Sequence, residues 1–235
     1  MSTQPRRALE SPVASSTDAA SSALETALAE VLLPALEPQS FARFGSRNVG
    51  RVREGVLQFV NVQAAAFGPR RFCVNYAALP LFRPHTVVAL GRGDRLRGTD
   101  GEDAWWPAQD ADEASQGMRA AIVGLQWQAT TWFEKTRTVA GLLDCLPPLQ
   151  PGADPHDVFD RACCLARLGM LREAAHVAAR ARRLFLRDGR RAFDELAEGC
   201  AMLFAAALAG RVEPLLLQWQ RQSARHLHLG RLRGA

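Results

Sequence analysis

The fold is decided by one stretch of the sequence, Val56-Leu57-Gln58-Phe59-Val60-Asn61-Val62-Gln63. It is rich in β-branched and aromatic residues and is bounded by glycines, which predicts a strand. The same signal returns at Phe72-Cys73-Val74-Asn75-Tyr76 after the Gly68-Pro69 turn, so we expect two neighbouring strands of an antiparallel meander. Residues 44–53 predict a preceding strand or hairpin and residues 86–98 a further strand. The result is an antiparallel sheet of about four strands.

Helical periods flank this sheet. A first helix is expected from Ser22, because Ser22 and Glu25 have the spacing of a capping box and leucines follow at helical intervals. A long helix is expected from about Asp110, and a shorter one should be capped by Thr136 or Thr138.

The last third of the chain predicts helices alone. Asp154 is a favourable N-cap, Pro155 suits the first helical position, and Leu168-Gly169 ends that helix. Further helices are expected at residues 171–186, 192–209 and 212–227. The fold class is therefore α+β, with the sheet packed against helices and an all-α extension of two helical hairpins. The parts that we expect are a disordered tail at 1–20, an α+β domain at 21–147 and a helical extension at 154–230.

Two resemblances accompany these patterns. About residues 22–146 resemble a bacterial domain family of unknown function, on the strength of Phe41, the strand at 56–63, Phe72-x-Val74-Asn75 and Trp105-Trp106. This resemblance implies an α+β fold and a bacterial source. About residues 155–187 are similar to a tetratricopeptide repeat; the residues concerned are Ala162-Cys163-Cys164-Leu165-Ala166-Arg167-Leu168-Gly169, Glu173-Ala174, Ala178 and Ala181. No 34-residue repetition follows, so a helical-hairpin appendage is expected rather than an array.

The charge of the chain is unevenly distributed. The formal net charge is +5, and residues 156–235 carry 14 arginines against 8 acids, which sums to +6 and leaves −1 for the first 155 residues. All but one of the 29 basic residues are arginine. Such a preference for arginine over lysine is typical of GC-rich genomes, although the arginine guanidinium also binds phosphate or carboxylate better than the lysine ammonium does.

The cysteines and the apolar segments of the sequence indicate in which cellular compartment the protein is expected. The five cysteines are odd in number and include no C-x-x-C pair, which favours reduced thiols over a disulfide framework. The N-terminus has no apolar run typical of a signal peptide, and no apolar stretch reaches the ~18 residues that span a bilayer. A soluble, cytoplasmic protein without a membrane partner is expected.

A basic stripe on the helix at 171–186 is the leading candidate site. Its cationic and potentially cationic side chains recur every three or four residues and fall within an arc of about 80°. They would suit an acidic protein or phosphates, although a solvated arginine face is the simpler interpretation. The members of the stripe and its continuation are Arg172, His176, Arg180, Arg183, Arg187, Arg190 and Arg191.

Strand amides and a tryptophan pair form the second candidate site. Amides recognise ligands but do not transfer protons usefully, and bonds within the sheet are their simpler role. One tryptophan is expected to fill the sheet–helix interface rather than stack on a ligand. The candidate residues are Gln58, Asn61, Gln63, Asn75, Trp105 and Trp106.

Catalysis is poorly supported by the sequence. No metalloprotease or nucleophile-elbow motif occurs, and His226-x-His228 is weak for zinc. No catalytic residue, cofactor or metal is predicted. We therefore expect a non-catalytic bacterial protein-binding module with an acidic protein partner, such as an immunity-type or adaptor protein. The alternatives are nucleic-acid binding through residues 172–191 and an enzyme with an unrecognised site.

Overall fold

The computed structural model describes residues 16–66, 70–90, 92–188, 190–230 and 232. They form an antiparallel sheet packed with helices and a C-terminal group of helices, which confirms the α+β class. Residues 1–15 of the predicted tail and the Gly68-Pro69 turn lie outside the described residues. Residues 16–20 of the predicted tail belong to a helix.

The N-terminal helix begins at Ser16 rather than at Ser22. Helix α1 (Ser16–Ala27) continues through a π-helical turn (Leu28–Leu32) into α2 (Leu33–Leu36) and a 3-10 turn (Glu37–Gln39). Leu24, Leu28 and Leu32 are buried along it, so the helical spacing of the leucines does determine the face that packs.

Six strands make one sheet in which every pairing is antiparallel. The first five follow one another in chain order, as predicted for a meander, and the sixth is a two-residue strand beside the fourth. The strands are β1 (Ala42–Phe44), β2 (Asn48–Arg53), β3 (Val56–Ala64), β4 (Arg71–Pro80), β5 (Gly93–Arg95) and β6 (Trp106–Pro107). The region predicted at 86–98 therefore contributes three residues, and β6 was not predicted.

The long helix predicted from Asp110 is broken in two. It forms α3 (Ala111–Gln128) and α4 (Thr130–Lys135), and α5 (Val139–Cys145) follows. Asp110 accepts a hydrogen bond from the Glu113 amide at 2.9 Å. Thr138, and not Thr136, caps α5 by accepting from the Gly141 amide at 3.1 Å.

The C-terminal helices lie close to their predicted positions. They are α6 (Pro155–Arg167), α7 (Leu171–Asp188), α8 (Asp194–Leu208) and α9 (Val212–His226), with a 3-10 turn (Arg191–Phe193) before α8. Asp154 caps α6 by accepting from the His156 amide at 2.7 Å. Gly169 has a φ of 78°, a left-handed conformation that glycine adopts without strain, and it ends the α6 region.

The sheet and the C-terminal helices share buried cores. Val56, Ala78 and Phe82 join one apolar cluster with α6, α7, α8 and α9. On the opposite face of the sheet, residues around Phe59 pack under Leu227 and Leu229, which follow α9. The helices α1 and α3 cover the remaining part of the first face. This second face also carries polar residues, among them Asn61, Gln63 and Asn75.

Candidate functional site

The outward side of α7 carries most of the predicted basic stripe. Arg172, His176, Arg183 and Arg187 are all exposed. None of these four side chains forms a hydrogen bond or an ion pair with any residue that the structure describes. We call these four residues the α7 outer face. They extend over ~22 Å of helix, at 1.5 Å per residue.

The inward side of α7 holds the helix firmly in place. Ala174, Ala178 and Ala181 are fully buried, and Phe185 is 1% exposed. Small residues let α6 and α8 approach α7 closely, so the aliphatic side of α7 is buried against these two helices. Phe185 adds edge-to-face contacts with Phe159 and Phe193, at 6.3 and 5.3 Å between ring centroids. Among the described residues, the arginine side of α7 is consequently open to solvent or to a partner.

Arg180 departs from the predicted stripe. It is half-buried, and its guanidinium donates to the carbonyl oxygens of Leu149 and Gln150, at 3.4 and 2.5 Å. These carbonyls belong to the segment between α5 and α6, so Arg180 fastens that segment to α7. Sequence spacing placed Arg180 correctly on the helix but could not reveal a bond to residues 30 positions away.

Arg190 and Arg191 follow the end of α7. Arg190 forms an ion pair with Asp188 and lies over the Phe193 ring at 4.2 Å. The hydrogen bond from Arg190 lowers the pKa of the Asp188 carboxyl. Arg191 is exposed in the 3-10 turn. The structure therefore brings four of the seven predicted residues together on one open face.

The strand amides form a row across the sheet. Asn48, Asn61, Asn75 and Arg95 are opposite one another in register on β2, β3, β4 and β5. Asn61 donates to Asn48 at 2.8 Å, Asn75 donates to Asn61 at 3.2 Å, and Arg95 donates to Asn75 at 3.1 Å. The side chains of this row hydrogen-bond to one another, so their amides have few donors and acceptors left for a ligand.

Trp105 lies beside this row between two arginines. The guanidinium carbons of Arg71 and Arg95 lie 4.8 and 5.3 Å from the ring centroid, within cation–π range. Gln63 accepts from Asn75 and from Arg95, each at 3.3 Å, and it is exposed, as is Arg71. Four of the six predicted sheet residues, Asn61, Gln63, Asn75 and Trp105, thus lie on one face.

Gln58 and Trp106 belong to the other, covered face. Gln58 is fully buried; it donates to the Phe133 carbonyl at 2.5 Å and accepts from Arg51 at 2.8 Å. Trp106 packs on Phe72 with ring centroids 5.6 Å apart. Its Cβ lies 2.7 Å from where a Cβ would stand at Gly117, so α3 can approach only because residue 117 is glycine. Both residues connect the sheet to the helices.

A buried ionic cluster, which the sequence analysis missed, joins the helices to the sheet. Asp160 of α6 is 1% exposed and pairs with Arg83 and Arg92, each at 3.1 Å. Arg92 also pairs with Asp157, and Arg83 donates to His156 Nδ1 at 2.7 Å. A carboxylate within the apolar run of α6 was the one available signal, since buried acids need partners.

This cluster borders a cavity of about 190 Å³. If the protein were an enzyme, this cavity would be the first candidate for its active site. Arginine is always a donor, so His156 Nδ1 must accept and the ring must be neutral. Burial, reinforced by Arg83, lowers the pKa of His156, and burial lowers the pKa of His85 nearby to about 4. Each charged group has an opposite partner, which gives the cluster a structural role.

The cysteines are free thiols in the described part of the chain. Burial raises the pKa of Cys200 to about 12, and burial also raises the pKa values of Cys163 and Cys164. Thiols of this kind stay protonated at neutral pH and are poor nucleophiles.

Trp127 of α3 is an exposed apolar feature that no sequence pattern singled out. It is 84% exposed, and Val123, one turn earlier, is 53% exposed. Exposed tryptophan is typical of residues that anchor a protein partner.

In the described ranges, no helix combines the length and apolarity needed to cross a bilayer, and no group of three His, Cys, Asp or Glu residues is placed to hold a metal ion. No protein-family model matches the chain, and no curated protein or solved structure matches it at a significant level.

Proposed function

We propose that this chain is a non-catalytic protein-binding module that binds an acidic protein through the α7 outer face. The observation that carries the proposal is a set of three exposed arginines and a histidine, Arg172, Arg183, Arg187 and His176, that have no partner among the described residues and lie on a helix whose other side is buried. Arginine fits carboxylates through two parallel hydrogen bonds, so an acidic surface is the complementary partner.

The immediate surroundings of α7 favour a protein over a nucleic acid. Leu186 is 52% exposed and lies about 60° around α7 from Arg183, on the side away from Arg187. A leucine adds affinity for an apolar patch on a protein but not for phosphates. Proteins that bind single strands place aromatic rings among their cations, and the α7 outer face carries no ring other than His176.

The chemistry of the buried groups supports a non-catalytic role. The raised thiol pKa values keep three of the cysteines from acting as thiolates. His85 and His156 are engaged in the connection between sheet and helices, through hydrogen bonds to Pro80 and Arg83.

The biological setting forms part of the same proposal. Free buried cysteines suit a reducing compartment, which supports a cytoplasmic location. An immunity-type or adaptor role in a bacterium is proposed by analogy with other small α+β proteins, an analogy of fold rather than of site.

The test is affinity capture from native host extract, with and without nuclease, followed by mass spectrometry. The test variant is Arg183→Glu/Arg187→Glu. Its matched control is Arg119→Glu/Arg221→Glu, which changes the net charge equally at two exposed arginines of α3 and α9. We expect a stoichiometric acidic protein that survives nuclease, is retained by the control and is bound at least about tenfold more weakly by the test variant.

Two outcomes would contradict the proposal. Recovery of nucleic acid alone would indicate that the α7 outer face binds nucleic acid instead. The affinity for that nucleic acid would then fall steeply as the salt concentration rises. Equal capture by the test variant and the wild-type chain would place the binding surface elsewhere.

A further inference from the structure

A small cavity lies between the segment that follows β4 and the start of α6. Its volume is about 190 Å³, equal to about six water molecules at ~30 Å³ each. Pockets for drug-sized ligands measure roughly 300–1,000 Å³, so this cavity suits a smaller molecule. Of the apolar residues that line it, Leu79 is buried and Ala89 is exposed, so the cavity opens to solvent on the side of Ala89.

The charges that line the cavity balance one another. His156 also lines it, and its ring is neutral because Nδ1 accepts a hydrogen bond from Arg83. Asp157 pairs with Arg92 but is not among the lining residues. In the described part of the chain, the charged lining residues are two arginines and two aspartates, Arg83, Arg92, Asp154 and Asp160. A lining with both signs and no net charge complements a ligand that itself carries one positive and one negative group.

Arg83 supplies a buried donor that has no partner. It is 6% exposed, and its two terminal nitrogens lie 3.1 Å from Asp160 and 2.7 Å from His156 Nδ1. Its third nitrogen, Nε, is buried and has no hydrogen-bond partner among the described residues. A buried N–H without an acceptor is unfavourable, and a carboxylate is the acceptor that a guanidinium binds most strongly. The carboxylate of a small ligand would satisfy this nitrogen.

Asp154 is the lining carboxylate that can accept a positive group. It is exposed, and its Oδ1 accepts from the His156 amide at 2.7 Å. Its other oxygen, Oδ2, makes no hydrogen bond or ion pair with any described residue. Asp160, in contrast, is already paired with both Arg83 and Arg92. The ammonium group of a ligand therefore has its partner in Asp154.

We infer that this cavity binds a small zwitterionic amino acid, with the carboxylate on Arg83 Nε and the ammonium group on Asp154 Oδ2. The side chain of the amino acid lies against Leu79, which is the buried apolar residue of the lining. This inference goes beyond the proposed function and does not depend on it, because none of the four residues of the α7 outer face lines the cavity.

Isothermal titration calorimetry of the full chain tests the inference with glycine, L-alanine, L-serine, L-valine and L-leucine. At least one of these is expected to bind with a dissociation constant of about 1 mM or lower. Analogues that lack one charged group are the controls, such as 3-methylbutanoate and isobutylamine for L-valine. Each analogue is expected to bind at least about tenfold more weakly than its amino acid, because one of the two ionic contacts is lost.

Two variants locate the binding site. Ala89→Phe places a large ring at the exposed side of the cavity and should abolish binding, whereas Val87→Phe is the matched control at a residue of the same segment that is 69% exposed. Asp154→Asn keeps an N-cap for α6 but removes the negative charge, so it should weaken the amino acid to the level of its carboxylate analogue and leave that analogue unchanged.

Three results would overturn the inference. The first is that no amino acid of the set binds at concentrations up to ~10 mM, in which case the cavity holds water alone. The second is that a singly charged analogue binds as tightly as the amino acid, and the third is that Ala89→Phe leaves the affinity unchanged.

Discussion

Removal of the Asp160 carboxylate should loosen the C-terminal helices from the sheet. Asp160 is 1% exposed and pairs with Arg83 and Arg92, both at 3.1 Å. Asp160→Asn keeps the shape of the side chain and removes its charge, so the two guanidiniums lose their shared partner. Breaking a buried pair in this way costs about 3–5 kcal/mol, because it leaves charge without compensation. That loss is a large fraction of the roughly 5–15 kcal/mol by which native proteins are stable.

Urea unfolding followed by circular dichroism measures this loss. The free energy of unfolding of Asp160→Asn should fall by about 4 kcal/mol. The control Glu195→Gln removes an exposed carboxylate that has no described partner, and a change below about 0.5 kcal/mol is expected. A double-mutant cycle with Arg83→Met then isolates the pair, with a coupling energy of about 0.5–3 kcal/mol.

A loss below about 1 kcal/mol in Asp160→Asn would refute this reasoning. It would mean that water or a rearranged side chain compensates the arginines, and the cluster would no longer explain how the helices are fixed to the sheet.

Three further predictions follow from single side chains. Burial holds His85 neutral and lowers its folded-state pKa to about 4, so the free energy of unfolding should fall by about 3 kcal/mol as the pH drops from 6.5 to 4. Urea titrations at several pH values measure this dependence, and His85→Gln should make it weaker. Gln58→Ala should cost about 1–3 kcal/mol in the same assay because Arg51 and the Phe133 carbonyl lose their partner, whereas Gln63→Ala, an exposed amide on the same strand, should cost less than about 0.5 kcal/mol. Arg180→Ala should speed cleavage between α5 and α6 by a protease of broad specificity, because Leu149 and Gln150 lose their bonds, and Arg183→Ala should not.

The sequence predicted those parts of the fold that depend on local signals. The alternation in residues 56–63 sets the faces of β3, and Asp154-Pro155 and Gly169 mark the limits of α6. The strand β6 escaped prediction because two residues carry no period, and its pairing to β4 depends on Phe72, more than thirty positions away. The break at Ala129 escaped because the apolar period continues through it into Phe133.

In the candidate sites too, features set by local geometry could be predicted from the sequence, and features set by tertiary contacts could not. Helical geometry is local, so the outward position of Arg172, Arg183 and Arg187 could be predicted from their spacing. The fastening of Arg180 to Gln150 and the pairing of Asp160 with Arg83 depend on tertiary contacts that spacing does not encode. The same limit kept the strand amides undecided between recognition and mutual bonding.

Covalent labelling of arginine by phenylglyoxal tests the proposed function most directly. The chain is labelled alone and in complex with the protein captured from nuclease-treated host extract, and labelled peptides are quantified by mass spectrometry. In the chain alone, Arg172, Arg183 and Arg187 should react readily and the buried Arg83 should not. In the complex, Arg183 and Arg187 should be protected from labelling, whereas Arg119 of α3 should react as before. Unchanged labelling of α7 in the complex, with protection at another surface, would contradict it.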